Sequence, residues 1–476
     1  MTRPRNEPVP PSAASLLPAL RNVGYKFHTA VADLVDNSID ANASRVEITA
    51  NFNSGDPWLR IADDGIGMTS DTLTEALRLG SRSDRGPNSL GTFGLGLKTA
   101  SLSQCRRIII ATRDRPSAPI TVKALDLDHI EETDRWEIQN LNGTPEVVRV
   151  TEPLQDRDSG TVVMWQNLDR LHSYPDRDTP RARDILYRRL EQLDRHLGMV
   201  LHRFLTGAVL GRPTLRIAIQ GTRIEPWDPF VQAEEKTEEL EQVQLDVVHR
   251  SYRGTVLLSP FVLPNRIEFS STAAFDSAGH GRSWNTSQGL WIYRANRLIQ
   301  DGGWSRLRAA DEHTKYARAA LEFQPDLDNA FSIDIAKMTV GLPRQLREDL
   351  KPHITRLAKR ANDRYRYKPP PNKRPRRGSA PNISGPAQAH HSPLTQAGMV
   401  TKSTLPLPPS SSLGTPTGDT AYPDDPSSSA ATAGNVAWIG ATLDRAAAQI
   451  GESESLLRIK NQLRQISAGA FDALGW

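Results

Sequence analysis

Residues 32–43 read ADLVDNSIDANA, and the fold turns on how they are read. Wound as a helix of 3.6 residues per turn, the stretch puts Asp33, Asn37, Asp40 and, at the margin, Asp36 on one stripe, while Val31, Leu34, Val35 and Ile39 spread over the other side. Taken alone, such a stripe is most simply a solvated acidic face. The segments that follow it argue for something more specific.

Working outward, RVEITANF (45–52) alternates Val46, Ile48, Ala50 and Phe52, and WLRIADDGIGM (58–68) reads as a strand running into a glycine turn. RIIIAT (107–112) and GTVVMW (160–165) are further strands, which makes residues 16–175 an α+β unit, one sheet with helices against it. A second α+β set spans 180–367: a helix through LEQLDRHLGMVLHRFL, strands at TLRIAIQG, TVLLSPFVL and GLWIYRANRLI, and a helix near LPRQLREDLKPHITRLAKRAND. Residues 1–15 read as a flexible arm and 368–435, rich in Pro and Ser, as disordered linker; 436–476 recovers helical spacing.

Two glycine stretches carry the chemistry. GTFGLGLKT (91–99) misses the Walker pattern by one residue, because Leu97 intrudes before Lys98. It can still cradle phosphates: glycines let the backbone approach closely, and the stretch opens a helix whose first amides face an anion. In DDGIGM (63–68), a carboxylate at a strand end can accept a hydrogen bond from an exocyclic amine such as that of adenine, and Gly65 and Gly67 permit a tight turn beside a flat ligand. An ordinary Asp-Gly turn is the competing reading.

Composition narrows the classes. The chain has 476 residues, 38% of them hydrophobic, enough for at least two cores. The lone Cys105 excludes an intramolecular disulfide framework and points to a reducing, cytoplasmic setting. No run approaches the roughly 20 apolar residues of a membrane span, and the N-terminal stretch lacks an uninterrupted apolar core, so a soluble, unsecreted protein is expected. Net charge is only +4, yet residues 351–377 hold eleven Lys and Arg against Asp363 alone, with Tyr365 and Tyr367 interleaved. Such a basic arm suits a polyanion such as DNA. The acidic stretch VQAEEKTEELEQVQ (231–244) reads as a loop that repels DNA from its own side.

In order, DLVDNSIDA, DDGIGM, GTFGLGLKTAS and SGTVVMW resemble the GHKL ATPase superfamily, which groups the gyrase B subunit, the ninety-kilodalton heat-shock chaperones, sensor histidine kinases and MutL. The resemblance covers roughly residues 16–165, and with the second unit it is most similar to MORC-like and gyrase- or MutL-like proteins. It implies a Bergerat-type ATP-binding α/β sandwich followed by a transducer-like α+β domain, an ATPase using ATP and Mg2+, and a homodimer, constitutive or ATP-induced. Asn37 would then coordinate Mg2+. Asp63 would read the adenine amino group, with Gly65 and Gly67 beneath the base and Met68 packed on it. Gly91, Gly94 and Gly96 would contact phosphates, with Lys98 adding charge, and Thr161 would support the adenine-side hydrogen bonds.

The family's general base is a glutamate four residues before the asparagine; here the position is Asp33, one methylene shorter, so slow hydrolysis is expected. Lys337 would be the second domain's lysine at the terminal phosphate, and residues 70–91 the lid. Asp36 and Asp40 are expected to have structural or capping roles, and Arg294 and Arg297 structural or partner-facing ones. Two functions compete: an ATP-gated clamp or remodeller on DNA, and a chaperone-like ATPase with protein clients. A histidine kinase is not expected, since about 30 residues precede the motif where its phosphoacceptor helix would stand, nor is a single-chain topoisomerase, whose tyrosine-bearing cleavage domain would have to follow Tyr367.

Overall fold

The computed structural model describes residues 12–78, 90, 96–171, 178–249, 252–333 and 340–367. The linker at 368–435, the segment at 436–476, most of the expected lid, Gly91, Gly94 and Lys337 lie outside these residues.

The chain begins with α1 (Ala13–Arg21), α2 (Phe27–Asp40), β1 (Arg45–Asn51), β2 (Trp58–Asp63), α3 (Ser70–Leu77), α4 (Gly96–Leu102), β3 (Arg107–Arg113) and β4 (Thr121–Asp126). Next come α5 (Leu127–Thr133), β5 (Gln139–Asn140), α6 (Val147–Thr151) and β6 (Gly160–Gln166). They are followed by α7 (Pro180–Val200), α8 (His202–Leu205), β7 (Arg216–Ile219) and β8 (Thr222–Arg223). Helix α1 starts at Ala13, inside the stretch 1–15 expected to be an arm, of which residues 1–11 lie outside the described ones: Ser12 Oγ accepts the Ser15 amide at 3.2 Å and donates to Asp134 at 2.8 Å.

These strands form one sheet in the order β5-β4-β3-β6-β2-β1-β7-β8. The β1–β2 register opposes Ile48 to Ile61 and Val46 to Asp63, so the pairing that buries the isoleucines also delivers Asp63 to its strand end. Alternation divides β3 between two cores. Ile108 and Ile110 face α2, α4 and α7, while Ile109 and Ala111 meet Val150 and Leu154 on the other side.

Strand β7 corrects the expected division at 175–180. Instead of joining the second unit, it pairs in parallel with β1, Val46 opposite Ile217, and the Gln220 side chain bonds both Ala50 N (3.0 Å) and Ala50 O (2.8 Å). Helix α7 makes the crossover, burying Leu186, Leu190, Leu193 and Leu197 as it returns over α2.

The second sheet is built from β9 (Glu238–Glu239), β10 (Val243–His249), β11 (Tyr252–Val262), β12 (Gly289–Arg294), β13 (Arg297–Asp301) and β14 (Ala317–Phe323). Its order is β10-β11-β14-β12-β13, with β9 beside β11. Helices α9 (Thr272–Gly279) and α10 (Trp284–Ser287) precede β12, and α11 (Arg344–Arg366) closes the described chain. On one face Leu290 and Ile292 pack with Leu346, Leu350, Ile354 and Leu357 of α11. On the other, Trp291, Tyr293 and Leu298 enter the core that holds Val31, Leu34 and Val35 of α2. The two sheets therefore share one apolar core. Among the described residues, no helix is long and apolar enough to cross a membrane.

Candidate nucleotide site

Helix α2 does not present a solvated acidic face. Asp33 is 3% exposed and Asp36 1%, so two carboxylates of the stripe are interior groups that need partners. Tyr25 OH donates to Asp33 Oδ2 at 2.6 Å; burial and that carboxylate push the Tyr25 phenol far up, keeping it a donor. Asp36 accepts from Arg297 of the second sheet at 2.9 Å. Asp40 accepts the Leu90 amide at 3.0 Å. Between Thr29 and Ile39 every residue is buried except Asn37. Asn37 is thus the one residue of that run with its side chain open to solvent.

At one end of that helix turn lies Gly96, the first residue of α4; a Cβ there would come 3.7 Å from Asp33 Oδ2. The tail of the glycine stretch and the candidate base are therefore neighbours. Lys98, expected near the phosphates, is wholly buried and donates to the carbonyls of Ala76 (3.0 Å) and Arg78 (2.6 Å), at the C-terminal end of α3.

At the other end Ser38, next to Asn37, donates its hydroxyl to Asp63 Oδ2 at 2.9 Å. Asp63 Oδ1 accepts the amides of Gly65 (3.0 Å) and Thr161 (3.2 Å). Burial pushes this carboxyl up to about 6, and the three hydrogen bonds oppose the shift. Gly67 sits at φ +64 with space only for hydrogen, since a Cβ would fall 1.8 Å from the Arg113 carbonyl oxygen. Gly65 is as restricted by Ala41, whose Cβ would be 2.7 Å from the added atom. The Met68 amide donates to Thr112 Oγ1 (2.8 Å), which donates to the Gly160 carbonyl (3.0 Å) and lies 3.3 Å from Thr161 Oγ1. The turn 65–68 is thereby pinned to the ends of β3 and β6.

Asp63, Gly65, Gly67, Met68 and Thr161 thus form one cluster; Asp33 and Gly96 form a second; Asn37 and Ser38 join them. Sequence reasoning passed over Tyr25, Ser38 and Thr112, and gave Arg297 no place at this site. Ser38 lay inside the opening motif, so adjacency to Asn37 was a usable signal. Nothing local marked Thr112 or Tyr25. For a metal, the donor set suits Mg2+ brought in by a triphosphate: one amide oxygen, with the remaining octahedral positions left to phosphate and water. Among the described residues, no cluster of three His, Cys, Asp or Glu would hold a metal by itself.

Residues 25–161 match the family described as histidine kinase-, DNA gyrase B-, and HSP90-like ATPases. Over 89 residues the chain is 35% identical to human ATPase MORC2, covering 18% of this chain and 9% of that protein. Against Arabidopsis thaliana Protein MICRORCHIDIA 7 it is 25% identical over 180 residues, 33% of this chain and 26% of the relative. Against the DNA mismatch repair protein MutL of Allorhizobium ampelinum it is 36% identical over 93 residues, covering 19% and 15%. These matches span about a quarter or less of each relative's length. The matched segment spans α2, both glycine-rich stretches of the sequence and the strands that carry Asp63 and Thr161, and residues 25–161 belong to the GHKL ATPase superfamily.

Proposed function

We propose that this chain binds ATP with Mg2+ and hydrolyses it slowly, and that nucleotide occupancy drives pairing of two copies and action on DNA. The observation that carries the reading is the outward Asn37 amide, standing between buried Asp33 and the Ser38–Asp63 pair. The adenine amino group donates to Asp63, where guanine would set an acceptor against an acceptor. Asn37 gives one oxygen to Mg2+, which supplies charge neutralisation at the phosphates. Asp33 takes the proton of the attacking water as that oxygen bonds the γ-phosphorus and the bond to the β–γ bridging oxygen breaks. Its short stem and the Tyr25 hydroxyl on Oδ2 restrict its reach. General-base assistance contributes about 10²–10⁴-fold, so a restricted base means slow turnover. Gly91, Gly94 and Lys337 keep the phosphate roles proposed from the sequence. The lone Cys105, wholly buried, suits a reducing cytoplasm.

DNA action is supported by the basic residues 351–377 and by the MutL relative's name. One observation favours a chaperone-like ATPase with protein clients: Arg356, Arg360 and Arg364 already face Glu241, Glu238 and Glu268.

The test is phosphate release by the purified chain, with and without DNA, for wild type and Asn37→Ala. Loss of a single site group of this kind costs about 10²–10³-fold in rate. Because Asn37 is exposed, stability should change by no more than about 0.5 kcal/mol. Unchanged hydrolysis in Asn37→Ala overturns the reading, and turnover indifferent to DNA moves it to protein clients.

A further inference from the structure

Strands β12 and β13 are joined by Ala295 and Asn296 alone, both left-handed (φ +46 and +70), a two-residue hairpin that sets Arg294 and Arg297 opposite one another. Both arginines are buried, at 2% and 4% exposure, although they stand at the tip of a hairpin. The reason is that the tip enters the nucleotide domain. Arg294 holds Asp328 through Nε and Nη2 (2.6 and 2.7 Å) and donates Nη1 to the Leu90 carbonyl at 3.0 Å. Leu90 immediately precedes Gly91, and its own amide donates to Asp40 on α2. Arg297 Nε lies 3.0 and 2.9 Å from the two oxygens of Asp36, and Nη2 lies 3.9 Å from Asp33 Oδ1. Nη1 donates to the Leu298 carbonyl at 2.8 Å, which fixes the plane of the guanidinium.

A purely structural ion pair would need one carboxylate and could lie anywhere in the shared core. This guanidinium serves two: Asp36, adjacent to Asn37, and Asp33, whose other oxygen is held by Tyr25. We infer that Arg297 is a positioning residue for hydrolysis: it orients Asp33 and the Asn37-bearing turn of α2, so that the second sheet must be docked for the site to work. The inference rests on the ATPase reading above. It assigns Arg297 no contact with nucleotide.

The experiment uses the full chain and two measurements: binding of the Mg2+ complex of a non-hydrolysable ATP analogue, and steady-state phosphate release. A wild type that neither binds the analogue nor releases phosphate overturns the ATPase reading, and this inference with it. Given an active wild type, Arg297→Met should lower kcat by about 10²-fold, the usual cost of a misplacement near 1 Å, and leave KM and analogue affinity within about threefold. Arg297→Lys, which keeps the charge but loses the fork, should recover part of the rate. Since removing one member of a buried pair can unfold a protein, Arg297→Gln with Asp36→Asn is the second variant, neutral at both positions. An unchanged kcat in any folded Arg297 variant overturns the inference. So does a fall in kcat matched by an equal loss of analogue-binding sites, the signature of a smaller folded fraction.

Discussion

Asp63 is a carboxylate that desolvation raises to about 6 and that three hydrogen bonds hold in place. In the proposed role, the ionised carboxylate accepts the adenine amine more strongly than the protonated acid does, so nucleotide binding favours the deprotonated form. Adenine-nucleotide affinity should therefore fall as pH drops below about 6, by up to tenfold per unit. Phosphate groups titrate nearby, so the informative quantity is the ratio of wild-type to Asp63→Asn affinity between pH 7.5 and 5, measured by calorimetry. A ratio independent of pH would remove Asp63 from adenine recognition. At the same scale, the Lys98 ammonium lies against carbonyls of α3, which shows how a lysine beside glycines can serve a helix end.

At the scale of elements, α11 and β9 show how part of the basic region, up to Tyr367, is engaged. Arg356, Arg360 and Arg364 recur every four residues on one stripe, and Glu238 receives Arg360 at 2.8 Å and Arg364 at 3.2 Å. Glu268 takes the other side of Arg364 at 2.9 Å. The acidic stretch thus lies against the basic helix. The Arg364 pairs are half-buried, but the Arg360–Glu238 pair is exposed and contributes only about 0–1 kcal/mol to stability, so an incoming polyanion can displace it. Glu238→Gln should leave the thermal midpoint nearly unchanged and tighten binding of a DNA duplex in fluorescence anisotropy. Its log affinity should fall with log salt more steeply, by about 0.9 for each additional phosphate neutralised. An affinity and salt slope equal to wild type would place the DNA-binding surface away from this stripe.

For the whole molecule, the common core implies that both sheets melt together, and buried histidines should make that melting acid-sensitive. His28 of α2 and His196 of α7 meet ring to ring at 4.5 Å, and His28 Nδ1 and His196 Nε2 are buried without hydrogen-bond partners. Burial holds both below the usual histidine value, with Lys26 adding to the effect on each. His202, at 2.9 Å from the Tyr293 hydroxyl, is lowered to about 3 by burial and by Arg203. A lowered histidine is neutral when folded and charged when unfolded, so its contribution is intact above pH 6.5 and is lost as pH falls. The loss reaches about 1.4 kcal/mol per unit for each deeply buried ring. Asp63 acts oppositely between about 6 and 3.8, because the folded state protonates first, and offsets one ring there. The thermal midpoint should therefore drop between pH 7 and 5 in a single transition. His196→Gln with His202→Gln should flatten that dependence; an equally steep curve in the double variant would exclude these rings as its source.

What the sequence determined by itself was local and periodic. The alternation of Val46 and Ile48, the glycine turn after Asp63 and the helix carrying Asn37 follow from spacing, because each is set by neighbours within a few residues. Only the tertiary structure decided that Asp33 and Asp36 are interior, that β7 completes the first sheet, and that Asp36 is met by Arg297, 261 residues away. No periodicity marks a partner at that separation. A charge becomes buried or solvated according to what the folded chain brings against it, and that is fixed only when two distant faces pack.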